Sequence, residues 1–589
     1  MADIEELEQE FSPQQLEDFK NPDVDPKQIE RRKRCIKRIL IASVIVIIII
    51  LIPIIIKVTK KEKKYIEIYC KYQTFEKNEE IDLINIDDNL FKELKFKISI
   101  NGSDVNKNTK HKFKKPGTHK VTFKFEKQLE SLGYLFDGIE NIIEVDLSKI
   151  KPEAFSNMSR LFAGCDKLKK IKFDKLQKNI SYMEEAFSGC NSLEEINLTK
   201  FNTDDVDNMG SLFSGCHSLT SLNLESFNTS NVITMETMFS GCEKLTSINL
   251  TNFNFENVED ISYMFSNCKN LVDLNLGPIK TPSLKRMRGL FMDCNSLKEI
   301  DLTDFSTEEI RDLSFLFYNC TSLENITMID NVLINATMYK MFSNCKSLKS
   351  LDLSKLRTIN ITNMKGMFEN CSSLTDINLE NFNATQVFFF ENLFYNCTSL
   401  KKLNLSSFST ENANEMEKMF YNCNSLTSLD ISNFKSNYLY NVKNMFELCT
   451  SLKTIDLSFL NKGRGIMFFT GMFKNCTSLE KITVPMFDSF FLYYTDEMFY
   501  GCTNLTNIDL SAINTLSVRN MEKMFYDCTS LKNLDISKFN TRSLEKFDYI
   551  FEGIEDSDSF NIKYNGEKIK ELSSAIKKNW TVTNVTIIT

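Results

Sequence analysis

The sequence predicts a mainly β protein with little helix, in which a long repeat solenoid carries a parallel sheet. Three observations predict this fold class. A pattern of Phe, Cys and Leu recurs about every 26 residues from about residue 129 onward, strand-like segments precede it, and an uncharged apolar run lies near the N-terminus. A fixed period of this length is typical of solenoids, because each repeat can bury its apolar side chains only by stacking on its neighbours.

The N-terminal region predicts a membrane attachment. Residues 1–38 are polar and end in the basic run RRKRCIKR, whereas residues 39–56 carry no charge. At ~1.5 Å per residue, a helix over 39–56 nearly crosses a hydrocarbon core of ~30 Å. A cleaved signal peptide is the alternative, but a long polar tail precedes the run and no small-residue cleavage site follows it. The expected localisation is a single-pass membrane protein at the plasma membrane, with a cytoplasmic tail and the C-terminal repeats outside. Basic residues flank both ends of the run, so the charge bias that sets this orientation is small.

Residues 57–128 are predicted to form a small β module beside the membrane. Three segments rich in β-branched and aromatic residues, IEIYCKY, FKISING and HKVTFKF, read as strands. A Pro-Gly turn precedes the third segment.

Residues 129–562 are predicted to form about 17 turns of one solenoid. Each cysteine of the pattern has Phe three residues before it and Leu three residues after it, and successive cysteines are 25 to 27 residues apart. Ile or Leu follows at six residues and usually Leu at eight, which makes the strand LxxLxL of a leucine-rich repeat. Strand alternation directs the last two apolar side chains inward and the residue between them outward. The sequence therefore predicts a right-handed leucine-rich-repeat stack with a parallel sheet.

Both ends of the repeat region are atypical, as the ends of a capped stack are expected to be. Ile139 stands at the cysteine position of the first turn, and Ile554 stands there in the last. Residues 563–589 are predicted to form a C-terminal cap.

Turns of the form MFxxCxSLxxLxLSxFNTxxVxxM resemble those of the BspA-type leucine-rich-repeat surface proteins. The resemblance covers roughly residues 129–562. It implies a surface solenoid used for adhesion to host proteins or to other cells, and it implies no catalytic residues.

One cysteine per turn predicts a structural ladder of buried thiols. Zinc sites need closely paired ligands such as CxxC, which the sequence lacks, and Ile at the terminal turns indicates a compact apolar position. Disulfides between neighbouring turns remain a second interpretation, since stacked cysteines lie at a compatible spacing. The ladder comprises Cys165, Cys190, Cys216, Cys242, Cys268, Cys294, Cys320, Cys345, Cys371, Cys397, Cys423, Cys449, Cys476, Cys502 and Cys528.

A polar row lies seven residues after the cysteines, on the outward side of the predicted strands. One interpretation is an exposed row whose stacked amides bond one another. The other is a shallow, mildly acidic recognition face for a basic protein or a weakly held divalent cation. The row comprises Asn197, Asn223, Asn249, Asn275, Asp301, Asp352, Asn378, Asn404, Asp430, Asp456, Asp509 and Asp535.

Aromatic residues occupy otherwise polar positions in the C-terminal third. Because equivalent positions stack, they are expected to gather on one side, either folded inward or exposed as a ligand-binding patch. The candidate ligand-binding residues are Phe388, Phe389, Tyr438, Tyr440, Phe468, Phe490, Phe491, Tyr493 and Tyr494.

The sequence favours a binding protein over an enzyme. It contains three histidines, no Gly-rich phosphate loop and no nucleophile elbow, and no cofactor or metal is expected. A net charge of -8 excludes a broadly basic surface for nucleic acid. The leading hypothesis is a membrane-anchored surface protein that binds host, matrix or neighbouring-cell proteins. The alternative is a structural coat protein that associates with itself.

Overall fold

The computed structural model describes residues 65–588 with several gaps. The gaps are at 87–90, 92, 128, 174–178, 307–308, 329–332, 335, 359, 407, 463–464, 485–490, 555–559, 566–568, 570–571 and 573–584. The predicted tail at 1–38, the predicted span at 39–56 and much of the predicted cap at 563–589 therefore lie outside the described residues.

Six strands precede the repeats. They are β1 Ile66–Thr74, β2 Glu79–Asp82, β3 Phe96–Ile100, β4 Ser103–Val105, β5 Lys110–Phe113 and β6 Gly117–Phe125. Strand β1 pairs antiparallel with β6 on one side and, on its other side, with the first strand of the repeats, β7 Ile142–Asp146. The antiparallel sheet therefore continues into the solenoid and covers the N-terminal end of its strand ladder.

Most of the described turns contribute short strands, whereas the Cys190, Cys216, Cys397 and Cys423 turns contribute none. After β7 they are β8 Lys170–Lys172, β9 Ser247–Asn249, β10 Asp273–Asn275, β11 Glu299–Asp301, β12 Asn325–Thr327, β13 Leu333–Ile334, β14 Ser350–Asp352, β15 Arg357–Thr358, β16 Asp376–Asn378, β17 Thr454–Asp456, β18 Lys481–Thr483, β19 Asn507–Asp509, β20 Asn533–Ile536, β21 Asn561–Asn565 and β22 Val585–Ile588. The strands from β7 onward that pair with one another do so in parallel, and two 3-10 helices lie at Pro152–Ser156 and Ser458–Lys462. The predicted mainly β solenoid with parallel sheets is confirmed.

The prediction of a single-pass membrane protein is wrong by this structure. In the part of the chain that is described, no helix is long and apolar enough to cross a membrane. A spanning helix needs about 20 apolar residues, whereas each of the two 3-10 helices has five residues.

Each turn also bonds to the next along its return segment, which ends at the cysteine. Positions in this segment are numbered from the cysteine of their turn, so that Phe213 is at position −3 of the Cys216 turn. Alternate amides donate to the following turn: Ser211 N–H to Glu236 O at 2.8 Å, Phe213 N–H to Met238 O at 2.9 Å. The amides between them close tight turns within the segment, as Cys216 N–H does to Phe213 O at 3.1 Å.

The core is a stack of side chains supplied at equal positions by every turn. The Phe rings at position −3 form one column from Phe136 to Phe551, with adjacent rings nearly parallel, as for Phe265 and Phe291 at 5.7 Å and 3°. Ile248 and Leu250 are buried while Asn249 between them is exposed, as the strand alternation predicts.

Candidate protein-binding surface

The cysteines form a column beside the Phe column. All fifteen are fully buried with free thiols. Each Sγ donates to the carbonyl oxygen of the Phe at position −3 of the preceding turn, at 3.0 to 3.3 Å. That carbonyl also accepts the amide of its own cysteine, as Phe213 O does from Cys216 N–H. The thiol therefore acts as a small apolar group with one weak donor between two turns. Ile139 and Ile554, at the ends, are buried as well.

Burial controls the chemistry of these thiols. Desolvation raises the pKa of Cys216, Cys268, Cys371, Cys449 and Cys528 to about 12. Desolvation also raises the pKa of the other thiols of the ladder, Cys242 and Cys397 among them. A thiol that stays protonated and has no solvent access is a poor nucleophile and a poor metal ligand. Within the described residues, no group of three or more Cys, His, Asp or Glu is arranged to hold a metal ion.

The polar row seven residues after the cysteines has a local structural role. All twelve side chains accept the backbone N–H two residues further along, at 2.9 to 3.2 Å. This bond closes the turn that follows each residue of the row, and Asn and Asp both supply the acceptor. Hydrogen bonds from Ser432 accordingly lower the pKa of Asp430. The row therefore has a structural function whether or not it also meets a ligand.

The described aromatic candidates all lie at the surface. Phe389, Tyr438, Phe491 and Tyr494 are exposed by 37 to 63%. Phe388, Tyr440, Phe468 and Tyr493 are half-buried. These eight residues are called the aromatic surface below. Phe490 lies outside the described residues.

Stacked turns bring part of the aromatic surface together. The rings of Phe468 and Tyr494 are parallel, with centroids 5.4 Å apart. Tyr493 packs edge-on against Tyr494 at 6.5 Å. Phe388 and Phe389 form a separate pair, at 6.5 Å. The backbone ladder at position −8 joins the two groups through Glu415 and Asn441.

Three residues of the aromatic surface lie at position −8, a position that carries Asn or Asp in seven other turns and Tyr182 in one early turn. In seven turns an Asn or Asp at −8 accepts the backbone N–H at −6: Asn157, Asn208, Asp260, Asp312, Asn363, Asn441 and Asn520. Phe389, Phe468 and Tyr494 occupy the same position, and their side chains cannot make this bond. The aromatic residues therefore replace a recurring stabilising contact.

Two further clusters that contain aromatic rings were not predicted. Position −2 carries stacked tyrosines: Tyr395 and Tyr421 at 4.6 Å, Tyr500 and Tyr526 at 4.9 Å. In the middle of the solenoid, the Arg288 guanidinium lies over Phe315 at 5.0 Å. Writing the turns under one another in the sequence would have revealed the tyrosine column, since Tyr recurs directly after the invariant Phe. The Arg288 contact joins different positions of adjacent turns, so the period alone does not reveal it.

Solved structures similar to this chain include several leucine-rich-repeat proteins. A leucine-rich-repeat protein from Eubacterium ventriosum is 16% identical with a TM-score of 0.30, covering 54% of this chain and 84% of that chain. The Toll–Spatzle complex of Drosophila is 15% identical with a TM-score of 0.22, covering 71% and 51%. The leucine-rich-repeat domain of APL1B is 13% identical with a TM-score of 0.20, covering 77% and 87%. Values this low transfer no ligand or partner.

Among curated proteins, no sequence matches this chain. One protein family does match, over residues 124–194, 156–275, 244–350, 336–458 and 467–587. These segments cover more than half of the chain and contain the Phe and Cys columns described above. The chain therefore belongs to the family described as "Mycoplasma protein of unknown function, DUF285".

Proposed function

We propose that this chain is a binding protein, whose solenoid is an extended docking platform for a protein on another cell or in the matrix. The aromatic surface is the contact region. The observation that carries this proposal is the replacement of Asn or Asp at position −8 by exposed Phe389 and Tyr494 and half-buried Phe468. Residues that break a local stabilising rule concentrate where a protein has a function.

The chemistry of the aromatic surface suits a protein partner. Exposed Phe and Tyr side chains are enriched at the centres of protein interfaces, where they bury much area at little cost in conformational entropy. Arg519 lies over Tyr493 at 5.5 Å and adds a cationic rim. The motif that resembles BspA-type surface proteins supports adhesion as the setting in which such a partner is met.

A triple substitution at position −8 tests the proposal. Phe389→Asn, Phe468→Asn and Tyr494→Asn restore the residue that accepts the N–H at −6 in other turns. We expect beads coated with this variant to bind cells or matrix at least about tenfold more weakly than beads coated with the native chain, because the contact area is lost. The melting temperature should be equal or higher, so that misfolding does not explain the loss.

The matched control replaces exposed aromatic residues elsewhere. Phe75, Tyr134 and Tyr549 are 45 to 59% exposed and lie outside the aromatic surface. Their substitution by Asn should leave binding unchanged. Equal binding by the native chain and the position −8 variant contradicts the proposal. If native chains instead associate with one another in light scattering, and the position −8 variant does not, the surface serves a self-associating coat.

A further inference from the structure

Side-chain hydrogen bonds link adjacent turns of the solenoid at one pair of positions. The residue at −6 of one turn meets the residue at −8 of the next. Asn208 Nδ2 lies 2.7 Å from the Glu184 carboxylate, and Asn441 Nδ2 lies 3.0 Å from that of Glu417. Arg288 Nη1 lies 2.6 Å from Asp312 at the same two positions, with the charges reversed. In each pair one partner donates and the other accepts.

The turns of Cys397 and Cys423 place two carboxylates at these positions. Glu391 is at −6 of the first turn and Glu415 is at −8 of the second. The two turns are in register here, since Phe390 N–H donates to Glu415 O at 3.0 Å. Like charges at a pairing position repel each other, and neither carboxylate can donate a hydrogen bond to the other.

Glu391 shows that this pair is incompletely satisfied within the chain. The residue is 7% exposed. Its Oε1 lies 3.0 Å from Lys365 Nζ, whereas its buried Oε2 has no hydrogen-bond partner. A buried carboxylate oxygen without a donor costs free energy that proteins avoid unless the site has another use.

The surroundings of this pair belong to the aromatic surface. The Tyr440 hydroxyl donates to Glu415. Burial, that hydrogen bond and the charges of Glu415, Glu391 and Glu417 raise the pKa of Tyr440. Phe389, two residues before Glu391, is 38% exposed. The carboxylates therefore lie beside aromatic rings. Glu415 is half-buried, so that part of its side chain contacts solvent.

We propose that Glu391 and Glu415, flanked by Phe389 and Tyr440, form a subsite for an arginine side chain of the protein ligand. This inference rests on the proposed function and names the chemistry of the partner. Lys365 and Tyr440 each donate to one of these carboxylates, and a guanidinium supplies further donors to both while it stacks on aromatic rings. Glu415 receives the guanidinium from solvent, and Glu391 contributes Oε2, which has no hydrogen-bond partner within the chain. The ligand is therefore a segment that presents arginine beside apolar residues.

Glu415→Gln tests the subsite and leaves both partners of the Lys365–Glu391 ion pair in place. It rebuilds the arrangement of the Glu184 and Glu417 turns, an amide at −8 facing a carboxylate at −6. The variant should melt at a higher temperature than the native chain, by about 1–2 °C, because the like-charge pair is gone. Its binding should weaken. Loss of binding with gain of stability separates a ligand contact from a structural role.

The probe is a library of linear peptides displayed on phage and selected on the full-length chain. Peptides enriched on the native chain should carry arginine next to aromatic or aliphatic residues. Glu415→Gln should bind them at least about tenfold more weakly, and so should the native chain once their arginine is replaced by citrulline, its neutral isostere. Glu184→Gln is the matched control, because its partner Asn208 can pair with either side chain. It should change neither binding nor melting temperature.

The two proposals fail differently. If the position −8 aromatic variant loses the peptides while Glu415→Gln and the citrulline peptides bind as before, the arginine subsite is wrong and the docking surface stands. If neither variant affects binding, or if no peptide is enriched, both are wrong.

Discussion

The early and late turns of the solenoid build the same core with different residues next to the cysteine. In the Cys190, Cys216 and Cys242 turns, positions −2 and −1 are Ser and Gly. The glycines have φ of 71 to 76°. A Cβ added to Gly215 would lie 3.4 Å from the backbone of Gly189, in the preceding turn. Small residues therefore let the backbones of these turns approach closely.

The later turns meet the same backbone requirement with asparagine. Asn344, Asn370, Asn396 and Asn422 occupy position −1 with φ of 56 to 66°. Their amides form a ladder in which each Nδ2 donates to the Oδ1 of the preceding turn, at 2.6 to 2.9 Å. Asn adopts the left-handed conformation more readily than other residues with a Cβ. Position −1 therefore requires the left-handed backbone conformation, which either glycine or asparagine can supply.

The two regions also differ in the contact area that they offer. Ser188, Ser214 and Ser240 stand at position −2 in the early turns, whereas Tyr395, Tyr421, Tyr500 and Tyr526 stand there in later turns. The aromatic surface and the Glu391 and Glu415 pair lie in the later region as well. The core is uniform along the solenoid, whereas the residues that we propose to contact a ligand are concentrated toward its C-terminal end.

Alkaline pH should destabilise both regions together, and we expect this to be the largest effect. Burial raises the pKa of all fifteen thiols above the ordinary value of 9, and it raises the pKa of Cys216, Cys268, Cys371, Cys449 and Cys528 to about 12. These thiols therefore keep their protons in the folded chain at a pH where the exposed thiols of the unfolded chain ionise. The stability contributed by burial is therefore fully present below pH 9. It is lost as pH rises from 9 toward 12, by about 1.4 kcal/mol per thiol and pH unit.

Urea denaturation followed by far-UV circular dichroism from pH 7 to about pH 10 measures this loss. The midpoint should fall steeply above pH 9. Cys268→Ala in the early region and Cys449→Ala in the late region should each make the free energy of unfolding depend less steeply on pH. The decrease in slope should correspond to one proton. A midpoint that stays constant through pH 10 would show that the thiols are ionisable in the folded chain.

Truncation of the Phe column should cost the same in both regions. Phe239 stacks between Phe213 and Phe265 at 5.9 and 5.7 Å, and Phe420 stacks between Phe394 and Phe446 at 5.6 and 5.4 Å. Phe239→Ala and Phe420→Ala should each lower the free energy of unfolding by about 3–5 kcal/mol. Exposed Phe389→Ala, measured by the same urea titration, should change it little. A difference above about 1 kcal/mol between the two core variants would show that the core is not uniform.

The repeat was predictable from sequence because its residues recur at one spacing. Phe, Cys and Leu with a constant period require stacked turns, and LxxLxL supplies the inward side chains. The conformation at position −5 was not predictable. Thr237, Lys418 and Lys523 have φ of 53 to 55° there, although these residues have no preference for the left-handed region. Hydrogen bonds to the neighbouring turn impose that conformation, so tertiary structure overrides the local preference.

The candidate site was only partly predictable for a similar reason. Equivalent positions of successive turns stack, so the sequence indicated that the aromatic residues share one side. It did not indicate that Asn or Asp at −8 accepts the N–H at −6, nor that −6 and −8 of adjacent turns pair. The Glu391 and Glu415 pair depends on position −6 of one turn lying beside position −8 of the next. The repeat period does not specify this arrangement.

Exchanging the residues at position −1 between regions should produce the smallest effect. Asn396→Gly removes two bonds of the ladder, to Asn370 at 2.9 Å and from Asn422 at 2.6 Å. It should cost about 1–2 kcal/mol by urea titration. Asn396→Ala should cost about 1 kcal/mol more, because alanine is strained in the left-handed region.

The reciprocal change, Gly215→Asn, places an amide between Gly189 and Gly241, which offer no side-chain partner. It should lower the free energy of unfolding by about 1 kcal/mol, because the added Cβ lies 3.4 Å from the Gly189 backbone. The double variant with Gly189→Asn builds one rung of a ladder and should be more stable than the sum of its single variants. If Asn396→Gly costs nothing, the ladder does not stabilise the late turns. Asparagine there would then differ from glycine only in the surface that it presents to a ligand.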